Sequence, residues 1–222
     1  LDQRDQGEII SDSRSEVTDV EAKFHGRDSR RVPGPKHLSQ FACAYRCQVD
    51  LYPSLVTIAD SASAAIGVTD LAPFPDEAVR IRSRVASGLH GGLSFTYAHP
   101  ETASSPRESF PWAASIVVVA LPYLREGDGP SDRRSVARFA DGDRYEGLRS
   151  LLATLALKIS DDGYRAEVVF DDNRIIDRAV AIRAGVVWSG KSTMVLTPGA
   201  GPWILLGSVV TDAELVKTGQ MR

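Results

Sequence analysis

Two short stretches carry residue types that could do chemistry. GVVWSGKS, residues 185–192, has a Gly, four residues, then Gly-Lys-Ser. That is the spacing of a phosphate-binding loop, in which backbone N–H groups and a lysine hold a triphosphate. VVFDDN, residues 168–173, ends an apolar run on two adjacent carboxylates. Partial burial of Asp171 at a strand end, beside the like charge of Asp172, would raise a carboxyl pKa toward neutrality and make a proton donor. A plainer use fits the same residues, because Asp is a favoured helix N-cap and Asp-Asp-Asn opens turns. Lys191 and Trp188 have plain readings too, as a solvated surface lysine and a core residue.

The elements that must position these residues separate the possibilities. A phosphate loop needs a strand leading in and a helix leading out. Here Ile175, Ile176, Ala179, Val180 and Ile182 keep helical spacing up to Ala184-Gly185, which reads as a helix C-cap. STMVLTPGAG, after Lys191, is β-branched and closed by Pro-Gly, as a strand would be. The order is reversed, so the NTPase reading fails in context. Upstream, PSLVTIADSASAA carries an apolar stripe (Leu55, Ile58, Ala59, Ala62) and predicts a helix, followed by AIGVTDL as a short strand. FPDEAVRIRSRVASG predicts a helix opened by Pro75, Asp76 and Glu77 and stopped by Gly88. SIVVVALPYL, residues 115–124, has no polar alternation and predicts a buried central strand. RFADGDRYEGLRSLLATLALKISDDGY places Tyr145, Leu148, Leu151, Leu152, Leu155 and Ile159 on one helical face. AEVVFDD predicts a strand, DNRIIDRAVAIRAG a helix, and STMVLTP and GPWILLGSVVTD two more strands.

The 222 residues are 43% hydrophobic, enough for one sizeable core. Residues 51–222 are expected to form it, and residues 1–50, mixed in charge and closed by Pro-Gly-Pro, are expected to be a disordered extension. A net charge of -3 offers no global basic field for a nucleic acid, so any RNA contact must be local. No apolar run reaches membrane-spanning length and no secretory signal stands at the start, which predicts a cytoplasmic protein with no membrane partner. Cys43 and Cys47 cannot make a tetrahedral site alone, and His25, His37, His90 and His99 do not share their spacing. No metal site is expected, and the cysteines read as ordinary thiols.

Several stretches, in order, resemble the epoxyqueuosine reductase family. They are the IGVTD strand; GLHGGLSFTYAH, like the family's GYHGxMxYM; SIVVVALPYL; RFADGDRYEGLRSLL, like RYAxGxDYHxxLR; and residues 168–212, like VDSxPxxERxxAxxAGLGWxGKxxxxxxxxxGSxxxLGxxxT. The resemblance covers roughly residues 52 to 217. It implies an α+β fold, a mainly antiparallel sheet flanked by helices, of the nitroreductase-like type that binds cobalamin. It also implies a two-electron reduction of epoxyqueuosine in tRNA to queuosine, with an aspartate giving the proton to the departing oxygen. Counted back from the matched Asp177-Arg178 pair, that aspartate is Asp171, and Asp172 takes the family's Ser or Thr position. The resemblance further implies cobalamin contacts from Asp171, Lys191, Ser192, Val195, Arg138 and the backbone of Leu206, with Trp188 supporting the turn from beneath.

The chain departs from the family pattern at Glu146, where the family has His; at Ser208, where it has Glu; and at Ala103, where it often has Arg. The family also carries a module with two 4Fe-4S clusters, yet no cysteine follows Cys47 before GQMR. The expectation is the cobalamin-binding piece of a longer reductase, cut before its 4Fe-4S module, with most tRNA contacts outside it. The alternative is a stand-alone corrinoid-binding or trafficking protein.

Overall fold

The structure, a computed structural model, describes residues 51–93, 95, 97–124 and 143–221. The expectations for residues 1–50, and for Arg138, lie outside the described residues. Helix α1 (51–61) is followed by strand β1 (Ala65–Thr69), helices α2 (Pro75–Ala86), α3 (Pro100–Ser104) and α4 (Pro106–Ser109), and strand β2 (Ser115–Pro122). Helix α5 (Tyr145–Asp161), strand β3 (Ala166–Val169), helix α6 (Asp177–Arg183), strands β4 (Trp188–Ser189) and β5 (Val195–Leu196), and strand β6 (Ile204–Thr211) complete it. The main sheet has the order β1-β2-β6-β3 and every pairing in it is antiparallel. The α+β expectation therefore holds.

β2 is central, pairing with β1 on one side and β6 on the other, and its lack of polar alternation follows from burial on both faces. Val117, Val119 and Leu121 face one core, shared with Leu51, Leu55 and Ala59 of α1 and Leu148, Leu152, Leu155 and Ile159 of α5. Ile116, Val118 and Ala120 face a second core with Phe110, Ile175 and, on α6, Val180 and Ala181. α5 can lie close to the sheet because Gly207 of β6 has no side chain: a Cβ there would stand 2.6 Å from Leu152 Cδ1.

On the second face α6 is held by its last residue. The Arg183 guanidinium lies 3.7 Å over the Phe74 ring, donates to Thr69 Oγ1 at 3.0 Å, and reaches the carbonyls of Ala72 (2.7 Å) and Asp70 (2.9 Å). α6 ends into Gly185, whose φ of 73° suits the left-handed position after a helix. Among the described residues, no helix is long and apolar enough to cross a membrane.

Candidate active site

β3 leaves the sheet at Val169, and Phe170 and Asp171 turn away from it toward the start of α6. Asp171 has a φ of 48°, in the left-handed region where a non-glycine residue is uncommon. The turn is fixed from behind by Arg174. Its Nε and Nη2 donate to Asp172 Oδ2 at 2.9 and 2.6 Å, its Nη1 donates to Glu167 Oε1 at 2.7 Å, and its guanidinium sits 4.6 Å over the Phe110 ring. The Arg174 contacts hold the Asp172 carboxyl below its ordinary value.

Asp171 thus projects, exposed, onto an open cleft of about 840 Å³. Tyr145, at the start of α5, stands against it with its ring stacked on Phe170 at 6.2 Å. Burial, and then the charge of Asp171 and the hydrogen bond the phenol gives it, push the Tyr145 pKa up. The cleft wall is apolar where the sheet and hairpin meet it, at Val195, Met194, Ile204 and Leu206, with Ile175 and Ile176 beside them. Arg80 and Arg84 of α2 and Arg178 of α6 supply positive charge, and Phe95 and Tyr97 supply aromatic surface.

Asp177 lies in the same wall, at the first position of α6. Its Oδ1 is buried without a hydrogen-bond partner. Burial first, then the charges of Asp171 and Asp172, push its carboxyl up to about 7.

These positions revise several expectations. Asp171 is exposed rather than partly buried, and Asp172 is neutralised by Arg174 rather than left as a bare like charge. The group with the environment expected of Asp171 is Asp177. In the sequence Asp177 serves only as the anchor from which Asp171 is counted, although its spacing from buried Val180, Ala181 and Ala184 puts it on the inward stripe of α6. GVVWSGKS follows the end of α6 and supplies the first strand and the turn of the β4–β5 hairpin, with Trp188 paired to Leu196, so no helix leaves it as a phosphate loop requires. Trp188 is 39% exposed, neither a core residue nor a prop beneath the turn. Val195 and Leu206 do line the cleft. Lys191 and Ser192 are exposed at the hairpin tip, while their neighbours Ser189, Gly190 and Thr193 form the wall. The turn closes with Thr193 at a φ of 67°, its N–H donating to the Gly190 carbonyl at 3.0 Å. At the departures, Ala103 and Ser208 are buried, and Glu146 is exposed and paired with Arg149.

The cleft suits a large, flat, amide-rimmed ring. Its volume lies toward the top of the roughly 300–1,000 Å³ range of small-molecule clefts, and its lining is mixed, apolar at Val195, Met194, Ile204 and Leu206 and charged at Arg80, Arg84 and Arg178, groups that could hold a ring with apolar faces and polar substituents such as a cobalamin.

Comparisons with known proteins decide the family. The epoxyqueuosine reductase of Xanthomonas campestris pv. campestris is 34% identical over 161 residues, which is 67% of this chain and 44% of the relative. This chain belongs to the epoxyqueuosine reductase family. A crystal structure of the Bacillus subtilis epoxyqueuosine reductase, with its aspartate-bearing catalytic loop swung out of the active site, matches with a TM-score of 0.64 at 26% identity, over 81% of this chain and 48% of that one. Another epoxyqueuosine reductase structure, with an epoxyqueuosine-modified tRNA stem loop, shares the fold with a TM-score of 0.60 at 24% identity, again over 81% and 48%. No protein-family profile matches the chain. The chain spans less than half the length of the relative it matches.

Proposed function

We propose that this family member binds cobalamin in the cleft and takes part in reducing the epoxide of epoxyqueuosine in tRNA, with Asp171 as proton donor. The observation that supports it most is Asp171 held in a left-handed turn at a cleft with an apolar patch at Val195, Ile204 and Leu206, with Tyr145 against it. When bound, the cobalamin supplies the electrons that open the epoxide and leave an alkene. The chain's own residues do the rest. Val195, Met194, Ile204 and Leu206 would hold the ring by apolar contact, and Ser189, Gly190 and Thr193 would offer it polar atoms. Asp171 presents a carboxyl proton to the departing oxygen, and the Tyr145 phenol orients that carboxyl between turnovers. The clusters expected for electron supply belong to a module not matched by this chain's residues. The relatives carry the reductase name, so the stand-alone corrinoid carrier is the less favoured reading.

Two measurements test the proposal. Adding cob(II)alamin to the purified chain should change the corrin absorption spectrum. Met194→Glu should weaken that binding by about tenfold or more, since it places a charge on the apolar wall, whereas Lys191→Ala should change it less than about twofold, as expected for an exposed lysine. An unchanged spectrum would sink the cofactor assignment. With chemically reduced cobalamin and an epoxyqueuosine-modified stem loop, Asp171→Asn should lower turnover by about 10² or more. Full turnover in that variant would remove Asp171 from the chemistry.

A further inference from the structure

Helix α2 brings to the cleft side chains that the chemistry above leaves unused. Arg80 and Arg84 stand one helical turn apart, and both line the cleft. Arg80 pairs with Glu77 at 2.6 Å, but its side chain stays 69% exposed, so the pair is weak and a phosphate can take the place of Glu77. Arg84 is exposed and, among the described residues, is in no ion pair. The chain leaving α2 is tied back to it, the Leu89 N–H donating to the Arg84 carbonyl at 2.9 Å, and it turns again at Gly91 and Gly92, whose φ values of 61° and 75° glycine adopts freely. Phe95 and Tyr97 then line the same cleft. Phe95 belongs to neither core and is 53% exposed.

A half-exposed phenylalanine alone means little. One that shares a cleft wall with two guanidiniums has the make-up of a single-stranded nucleic-acid contact, an aromatic plane for a base and cations for its phosphates. We propose that Arg80, Arg84 and Phe95 form a binding site for single-stranded RNA: Phe95 stacks on an unpaired base, and the two guanidiniums hold the phosphates beside it. The inference rests on the reading of this chain as acting on a modified base in RNA, and it assigns the part of the cleft that takes the nucleotides flanking that base. Such a patch is the local contact that a chain of net charge -3 needs in order to meet RNA. It shares no residue with the apolar patch and the hairpin turn assigned to the ring, so substitutions can separate the two bindings.

The first test uses the full chain without cofactor, with fluorescence anisotropy of an unmodified RNA stem loop and of a fully paired RNA duplex at about 50 mM salt. The stem loop should bind the more tightly. Phe95→Ala should weaken that binding by about fivefold or more and leave its salt dependence alone, because stacking releases no counterions, and Phe95→Trp should restore it. Arg84→Ala should weaken binding and reduce the slope of log affinity against log salt by about 0.7. Lys158→Ala, in the last turn of α5 and outside the cleft lining, should change neither. No measurable binding, equal binding of the duplex, an unchanged affinity in Phe95→Ala, or a loss in Lys158→Ala equal to that in Arg84→Ala overturns the proposal.

The second test repeats the cob(II)alamin titration. Phe95→Ala should bind the cofactor within about twofold of wild type. A variant that loses cobalamin and keeps the stem loop would give Phe95 to the cofactor, and the proposal fails. If the RNA results hold while the wild-type chain binds no cobalamin, it is the cofactor assignment that has failed, and the RNA site stands.

Discussion

Replacing Asp177 with Asn should stabilise the fold, and more so as the pH rises. The carboxyl ionises with an ordinary value of 3.8 in the unfolded chain and about 7 in the folded one. Between those values the folded protein binds more protons than the unfolded one, so stability falls as pH rises and the loss is complete above the folded value. At about 1.4 kcal/mol per unit of separation felt, the penalty is roughly 1.6 kcal/mol at pH 5 and roughly 4 kcal/mol at pH 8. Asn has nearly the same shape and never ionises. The variant should therefore gain about 2–3 kcal/mol more over wild type at pH 8 than at pH 5. Urea unfolding of both proteins at the two pH values measures this directly, and every carboxyl other than Asp177 cancels in the difference apart from those coupled to it. A gain equal at both pH values would show that the Asp177 carboxyl is not buried against the charges of Asp171 and Asp172. A loss at pH 8 would show that its ionised form is doing structural work.

Two further substitutions probe the elements behind the site. Gly207→Ala should cost about 1–3 kcal/mol in urea unfolding, because the new methyl would lie 2.6 Å from Leu152 Cδ1 and 3.2 Å from Leu148 Cδ1 and push α5 off the sheet; an unchanged midpoint would mean α5 yields without loss. Arg174→Ala should cost about 1–2 kcal/mol, since it removes ion pairs to Asp172 and Glu167 that are only partly exposed, and about half of that difference should disappear in 1 M salt. A difference indifferent to salt would assign Arg174's contribution to its contact with Phe110 instead.

Much of the fold was legible because its signals are local. SIVVVALPYL had to be central, as a strand apolar on both sides has nowhere else to go, and the Leu148–Ile159 stripe of α5 had to meet it. DNRIIDRAVAIRAG shows where local spacing misleads. The helix expected across residues 172–185 begins only at Asp177, because Arg174 folds back onto Asp172 and makes a turn there. Ile175 still reaches the core, 2% exposed, but does so from that turn. Its apolar character matched the helical pattern by coincidence of spacing.

The site was legible in its parts and misread in its polarity. The two acids after VVF stand out in any reading of the sequence, but which acid is buried depends on what closes over it. An acid at a helix start is ordinarily solvated, stabilised by the helix dipole and left charged. Asp177 escapes that rule because its carboxyl is buried in the wall of a cleft whose other lining residues, among them Ile81 from α2 and Leu205 from β6, come from other segments of the chain. None of those segments has a sequence signature near residue 177. The one available clue was the inward phase of Asp177 relative to Val180 and Ala184, a charged residue where the helix has only apolar neighbours. Such a residue is either an error in phase or a group kept neutral for use. The left-handed backbone of Asp171 sharpens the choice. A left-handed turn presenting one carboxyl to a cleft and a second carboxyl buried in the wall of the same cleft each cost folding energy, and a site that uses carboxyl chemistry is where both costs would be retained.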